Sequence, residues 1–283
     1  MTKFGIPVLA VTLSICGTSS LAGCGADPDP CTIPSGSYHA VPAEGAAIGA
    51  LMFLHGWGSS GLGSLRMTGM VQTFTQAGYV VITPNGTPRE GRTGRGWSFH
   101  PDRPAPRDEN VFLQTVRDDA AARFGFDADA VLLSGFSIGG SMASYVACHT
   151  PAAFAAYAPV GGGLWRPHPD SCAGPVKLLH THGWKDGTVP LEGRVLRGGS
   201  FQDPDALIQG DVFATFERWR VANECINHKP DRFAFSDTYW RRAWDNCAPG
   251  SALEFAMHAG GHSVPKGWAA MALEWFENTT APE

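Results

Sequence analysis

The sequence predicts an α/β fold: a mostly parallel central sheet with helices on both faces and the functional site at the carboxyl edge of the strands. Three observations carry this. Short apolar runs rich in Val, Ile and Leu alternate with segments whose apolar residues recur at helical spacing, as β-α-β units require. One run, Val131-Leu132-Leu133, passes directly into Gly135-Phe136-Ser137-Ile138-Gly139 and then into a helical pattern. No repeat, low-complexity segment or linker interrupts the chain after residue 36, so residues 37–283 are expected to form one domain. With 43% hydrophobic residues in 283, the chain can bury a sizeable core. Its 21 Lys+Arg against 26 Asp+Glu form no basic stripe, which argues against a nucleic-acid partner.

The amino terminus reads as a targeting segment. Lys3 precedes an apolar run from Phe4 to Cys16 that is too short for a stable membrane anchor. Leu21-Ala22-Gly23-Cys24 resembles the bacterial lipobox, which implies cleavage before Cys24 and acylation of that cysteine. The rival is an ordinary secretory signal with Cys24 merely structural. Both export the chain, lipid-anchored to the bacterial cell envelope or secreted. The expected divisions are a signal peptide over 1–23, a Pro- and Gly-rich tether over 24–36, and the domain over 37–283. A monomer is expected, touching membrane only through a lipidated Cys24. Export permits disulfides, and five cysteines remain: Cys31, Cys148, Cys172, Cys225 and Cys247. Cys148 and Cys172 flank a strand with its loop, and Cys225 and Cys247 bracket a turn-rich stretch. These two bridges are favoured, with Cys31 left over. No Cys-x-x-Cys pair suggests a zinc site.

Taken in order, strands are expected at Ser37 to Val41 and Ala47 to Leu54, the second ending in His55-Gly56-Trp57-Gly58. A helix follows over Ser64 to Ala77, with Met67, Met70, Val71 and Phe74 on one face and Gly78 as its stop. Tyr79 to Thr83 is a strand. Pro84 to Arg107 is a long loop carrying five arginines and Trp97, of the length that is often functional. Its arginines read as solvated charge, with recognition of an acidic substrate group as the rival. Asp108 caps a helix over Glu109 to Phe124. Beyond Ser137 come a helix, a strand at Phe154 to Val160, and a strand at Val176 to His182 that delivers Asp186. A helix starts at Asp211, burying Val212, Phe216 and Trp219. A last strand alternates Leu253, Phe255 and Met257, and Gly267 to Asn278 forms the closing helix.

The chemistry centres on Ser137. Between a strand and a helix, Gly-x-Ser-x-Gly is a nucleophile elbow, whose tight turn holds the hydroxyl clear of the backbone. A serine hydroxyl needs a base, and the base needs an acid to fix its tautomer. In this architecture the order is Ser, Asp or Glu, then His. Ser137, Asp186 and His262 fall in that order, 49 and 76 residues apart, the latter two each in a glycine-containing loop after a strand. The oxyanion donors expected are the backbone N–H groups of Trp57 and Ile138. His55 reads as a structural ring bonded to its loop. His180 and His182 share one side of their strand and with Asp186 could be read as metal ligands, but the serine machinery already accounts for that loop. No metal and no cofactor are expected.

The motifs Gly135-Phe136-Ser137-Ile138-Gly139-Gly140-Ser141-Met142, His182-Gly183-x-x-Asp186-x-x-Val189-Pro190 and Gly260-Gly261-His262-Ser263 together resemble the secreted polyhydroxybutyrate depolymerase-type esterases, related to feruloyl and acetylxylan esterases. Cys148-His149-x-Pro151, Pro159-Val160 and the Cys225 and Cys247 pair also fit, and the likeness runs over residues 48 to 276. It implies an α/β-hydrolase fold, Ser137 as nucleophile, Asp186 as acid, His262 as base, and Trp57 and Ile138 as oxyanion donors. The expected reaction is acyl-enzyme hydrolysis of a carboxylic ester: a hydroxyalkanoate polyester or its oligomers, or alternatively feruloyl or acetyl esters of plant cell walls. Trp97, Trp165 and Trp184 are expected to wall the substrate cleft. The rival class is a surface-anchored binding protein that keeps this fold without turnover.

Overall fold

The structure is a computed structural model that describes residues 1–2, 24, 29–101, 103–196, 198–203 and 206–281. The signal segment from residue 3 to 23, and residues 25–28 of the expected tether, lie outside the described residues. In chain order the elements are β1 (Cys31–Ile33), β2 (Gly36–Val41), β3 (Gly49–Leu54), α1 (Gly61–Leu65), α2 (Thr68–Gln76), β4 (Tyr79–Pro84), β5 (Thr87–Pro88) and β6 (Arg95–Gly96). Then come α3 (Glu109–Phe124), β7 (Val131–Phe136), α4 (Ile138–His149), a 3₁₀ turn at Pro151–Ala153, β8 (Ala156–Val160), β9 (Lys177–Gly183), β10 (Arg194–Val195) and β11 (Ile208–Gln209). The chain closes with α5 (Val212–Ala222), β12 (Arg232–Phe235), β13 (Tyr239–Trp244), β14 (Ala252–His258) and α6 (Trp268–Thr280).

One ten-stranded sheet has the order β1-β2-β4-β3-β7-β8-β9-β14-β13-β12. The six strands from β4 through β14 are mutually parallel, and an antiparallel pair closes each edge. Successive residues of the parallel strands feed opposite cores, as the pleat demands. Ala50, Met52 and Leu54 of β3 face a core shared with Phe112 of α3, Val146 of α4 and Trp219 of α5. Leu51 and Phe53 face the other, with Phe74 of α2 and Trp268 and Trp275 of α6. Burying such a side chain is worth about 1.5–3 kcal/mol, so both sheet faces are substantially stabilised.

Capping follows the sequence closely. Asp108 accepts from the N–H groups of Asn110 and Val111 and starts α3, while Gly125, at φ 73°, ends it. Asp211 caps α5 through the N–H of Ala214. The helix expected over Ser64 to Ala77 is divided, because Met67 takes ψ 64° and breaks the run between α1 and α2. Two antiparallel hairpins, β5–β6 and β12–β13, stand where loop was expected.

Disulfides join Cys148 to Cys172 and Cys225 to Cys247, the two favoured pairings. Cys31 is not left over: it is bonded to Cys24. The tether also ends earlier than residue 36, since Cys31–Ile33 pairs with β2 as the edge of the sheet.

Candidate active site

Because β3, β7, β8, β9 and β14 are parallel, the loops that follow them emerge along one edge, where ligands collect in such sheets. The register sets Leu54 beside Gly135, Phe136 beside Val160, and Gly183 beside His258. Three separated segments of sequence therefore meet there.

Ser137 stands between β7 and α4 at φ 58° and ψ −122°, a conformation that costs a non-glycine residue about 1–3 kcal/mol. The surroundings hold it: its N–H donates to Val160 O at 2.9 Å, and Ser141 N–H donates to its carbonyl at 2.9 Å. The flanking glycines are required by contact. A Cβ on Gly139 would collide with the Leu54 carbonyl oxygen, and one on Gly135 with the backbone of Gly139.

Asp186 and His262 come from the loops after β9 and β14, which are stitched together by Trp184 N–H to His258 O at 2.7 Å and Lys185 N–H to Gly260 O at 2.9 Å. His262 Nδ1 lies 2.7 Å from Asp186 Oδ2. The other carboxylate oxygen accepts from the N–H groups of Thr188 at 2.9 Å and Val189 at 2.8 Å. Burial would raise the Asp186 carboxyl, but the hydrogen bonds from His262 and from the Val189 N–H outweigh it and hold the group below the ordinary carboxylate range. An ionised Asp186 fixes the proton of His262 on Nδ1 and leaves Nε2 as an acceptor.

Ser137 and His262 open on one pocket of about 400 Å³, whose other walls include Trp57, Met67, Phe53, Phe136 and Thr188. The Phe136 ring packs on His262 with centroids 4.6 Å apart. His262 is bonded to Asp186, and among the described residues no hydrogen bond is closed between His262 and Ser137. Two N–H groups stand beside the serine. Ile138 is the first residue of α4, where no carbonyl one turn back is available to its N–H. Trp57 sits on the turn after β3, and among the described residues its N–H has no hydrogen-bond partner.

The tryptophans fall differently from expectation. Trp97 is buried, and its indole N–H donates to His55 O at 2.9 Å, bracing the turn that carries Trp57. Trp165 is buried too, with its indole N–H on Ser141 Oγ at 3.1 Å, supporting α4 from behind. Trp184 is exposed but does not line the pocket. None of the three forms the pocket at Ser137. The tryptophan that does is Trp57, with Arg89 stacked at 4.1 Å from its ring centroid. Met67 also lines it, although its helical spacing marks it as core, and no feature of the sequence assigned Phe53, Phe136 or Thr188 to a cleft.

His55, His180 and His182 are structural. His55 donates from Nδ1 to Gly56 O at 2.8 Å and accepts at Nε2 from Gly86 N–H at 3.1 Å, tying the ends of β3 and β4. Burial holds it neutral, with a pKa of about 4. His182 Nε2–H donates to Val189 O at 2.8 Å, so its Nδ1 accepts from His180 Nε2–H at 3.0 Å. Burial lowers both rings' pKa values, and the pair braces the Asp186 loop.

A family model described as phospholipase/carboxylesterase matches residues 39–197. The protein NocK of Nocardia uniformis subsp. tsuyamanensis, which bears the name of an esterase, is 31% identical over 147 residues, covering 50% of this chain and 41% of its own length. A protein named probable feruloyl esterase C, from Aspergillus clavatus, is 25% identical over 147 residues, covering 51% of this chain and 48% of its own. The chain thus spans less than half the length of these curated relatives. Among solved structures, an acetyl xylan esterase from Aspergillus awamori superposes with a TM-score of 0.61 at 15% identity, covering 85% of this chain and 93% of that one. That likeness shows a shared α/β-hydrolase fold.

Proposed function

The chain belongs to the phospholipase/carboxylesterase family, and from that premise we propose that it is an exported serine esterase using Ser137, His262 and Asp186. The observation that carries the reading is the 2.7 Å bond from His262 Nδ1 to Asp186, with His262 and the strained Ser137 opening on the same pocket. Ser137 Oγ attacks the ester carbonyl as His262 Nε2 takes its proton; Asp186 stabilises the imidazolium. The N–H groups of Ile138 and Trp57 receive the oxyanion, each such donor being worth about 3 kcal/mol in the transition state. His262 then protonates the departing alcohol, and water, activated by the same ring, releases the acyl group.

Ser137→Ala is expected to abolish hydrolysis of p-nitrophenyl acetate with an unchanged far-UV circular dichroism spectrum. Retained turnover would sink the assignment. Labelling by a fluorophosphonate separates an enzyme from a binding protein of the same fold, since only an activated serine reacts.

Hydroxyalkanoate oligomers are the substrates we propose, on the motif resemblance. Feruloyl and acetylxylan esters are the second reading, favoured by the name of the Aspergillus clavatus relative. Turnover of hydroxybutyrate oligomers, methyl ferulate and acetylated xylan in parallel decides between them.

Export rests on Lys3 and the apolar run behind it, and three disulfides suit an oxidising compartment. The Cys24 sulfur is bonded to Cys31, and the same atom cannot also carry a thioether-linked lipid. Secretion is therefore the form we propose over lipid anchoring. Cells fed labelled palmitate should leave the protein unlabelled, whereas label that disappears in Cys24→Ala would restore the lipoprotein reading.

A further inference from the structure

The Ser137 pocket shares Ser59 and Gly63 with a second cavity of about 450 Å³, so the two adjoin. Three arginines, Arg66, Arg92 and Arg95, line this neighbour, and no described Asp or Glu does. Among the described residues none of the three forms an ion pair, whereas Arg107, Arg123, Arg232 and Arg241 each have a carboxylate partner. A chain with a formal charge of −5 thus gathers three arginines, unpaired among the described residues, in a cavity that adjoins the Ser137 pocket.

The cavity is built rather than incidental. The β5–β6 hairpin, whose turn carries Arg89 and Arg92, is docked on the loop after β3 by Gly58 N–H to Arg95 O at 2.9 Å and Arg95 N–H to Ser59 O at 3.1 Å. The Arg95 guanidinium donates to Gly86 O at 3.0 Å, which fixes it half-buried in the wall. Arg89 is occupied on the ring of Trp57, a wall of the Ser137 pocket. Arg66, at the end of α1, and Arg92 are exposed residues of the cavity lining whose guanidinium groups have no hydrogen-bond partner among the described residues, and a planar carboxylate matches such a fork with two parallel hydrogen bonds.

We propose that this cavity is a carboxylate-binding subsite, and that the preferred ester carries a free carboxylate near its scissile bond. The inference rests on the esterase reading and deepens it. A linear hydroxyalkanoate oligomer ends in such a carboxylate; methyl ferulate and the acetyl groups of xylan do not supply one.

The test uses the linear dimer of 3-hydroxybutyrate as its free acid and as its carboxamide, molecules that differ in charge at one end. Rates for each are normalised to p-nitrophenyl acetate. Wild type is expected to favour the acid in kcat/KM by about tenfold or more at low salt, the effect of one charge-assisted hydrogen bond. In the R66Q/R92Q double variant the ratio should collapse to within about twofold of unity. Equal ratios in the two proteins overturn the proposal. Calorimetric titration of the acid dimer into Ser137→Ala, with and without R66Q/R92Q, reads binding without turnover. Weaker binding in the arginine variant supports the subsite; no binding by Ser137→Ala, or equal binding by both, overturns it. Failure of the esterase reading shows separately, as p-nitrophenyl acetate turnover that survives in Ser137→Ala.

Discussion

Replacing Asp186 with Asn keeps the shape of the side chain and inverts one hydrogen bond. Oδ1 is committed to the N–H groups of Thr188 and Val189, at 2.9 and 2.8 Å, so the Asn oxygen must stay there. Its NH₂ is then turned to His262 Nδ1, 2.7 Å from the present Oδ2. An NH₂ group only donates, so Nδ1 must become the acceptor and the ring proton must move to Nε2. Protonated Nε2 cannot take the serine proton, while the oxyanion donors and the pocket stay in place. In Ser-His-Asp enzymes this wrong tautomer costs about 10⁴ in kcat, or about 5.4 kcal/mol at 1.36 kcal/mol per decade. Steady-state kinetics on p-nitrophenyl acetate should show that loss in kcat, with KM moving only a few-fold and urea unfolding showing a folded protein. Activity within about tenfold of wild type would refute the chain of reasoning, because Asp186 would not then be what fixes the tautomer of His262.

Three further outcomes concern the same neighbourhood. His55 has a folded pKa of about 4 against an ordinary 6.5, so the unfolded chain binds the proton more readily and stability rises with pH across that window. About 3 kcal/mol is lost by the acidic end of it; urea unfolding at several pH values should show a slope about one proton shallower in His55→Gln, and identical slopes would refute the assignment. Trp97→Phe removes the indole bond to His55 O and should cost about 1–2 kcal/mol of stability, whereas Trp57→Ala, at an exposed ring, should raise KM and leave stability within about 0.5 kcal/mol. A raised KM with full stability in Trp97→Phe would return that residue to the substrate wall.

The parallel strands were legible because strands buried on both faces are continuous apolar runs, and Leu51 to Leu54, Val80 to Ile82 and Val131 to Leu133 each read that way. The β12–β13 hairpin was not. Its strand β12 is exposed along its whole length and mixes Arg232 with Phe233 and Phe235, so no apolar stripe marks it, although Ser236-Asp237-Thr238 is a turn flanked by alternating residues. β1 was hidden for another reason. Three residues after a Pro- and Asp-rich stretch form a strand only because the edge of β2 supplies their hydrogen bonds, which no local propensity announces.

At the site the division is of the same kind. Ser137, Asp186 and His262 are marked because each sits where a glycine-bearing turn leaves a buried strand, and a turn that tight is written into the local sequence. Pocket walls have no such mark. Trp97 and Trp165 lie on loops, as cleft residues do, but each indole N–H found a buried acceptor, His55 O or Ser141 Oγ, and that bond turns the ring inward. Arg66 and Arg92 are 26 residues apart in sequence and line one cavity because β5–β6 docks on the loop after β3. What a chain of this family attacks is encoded next to the strand ends; what it selects is encoded in how its loops dock on one another, where neighbours in sequence say least.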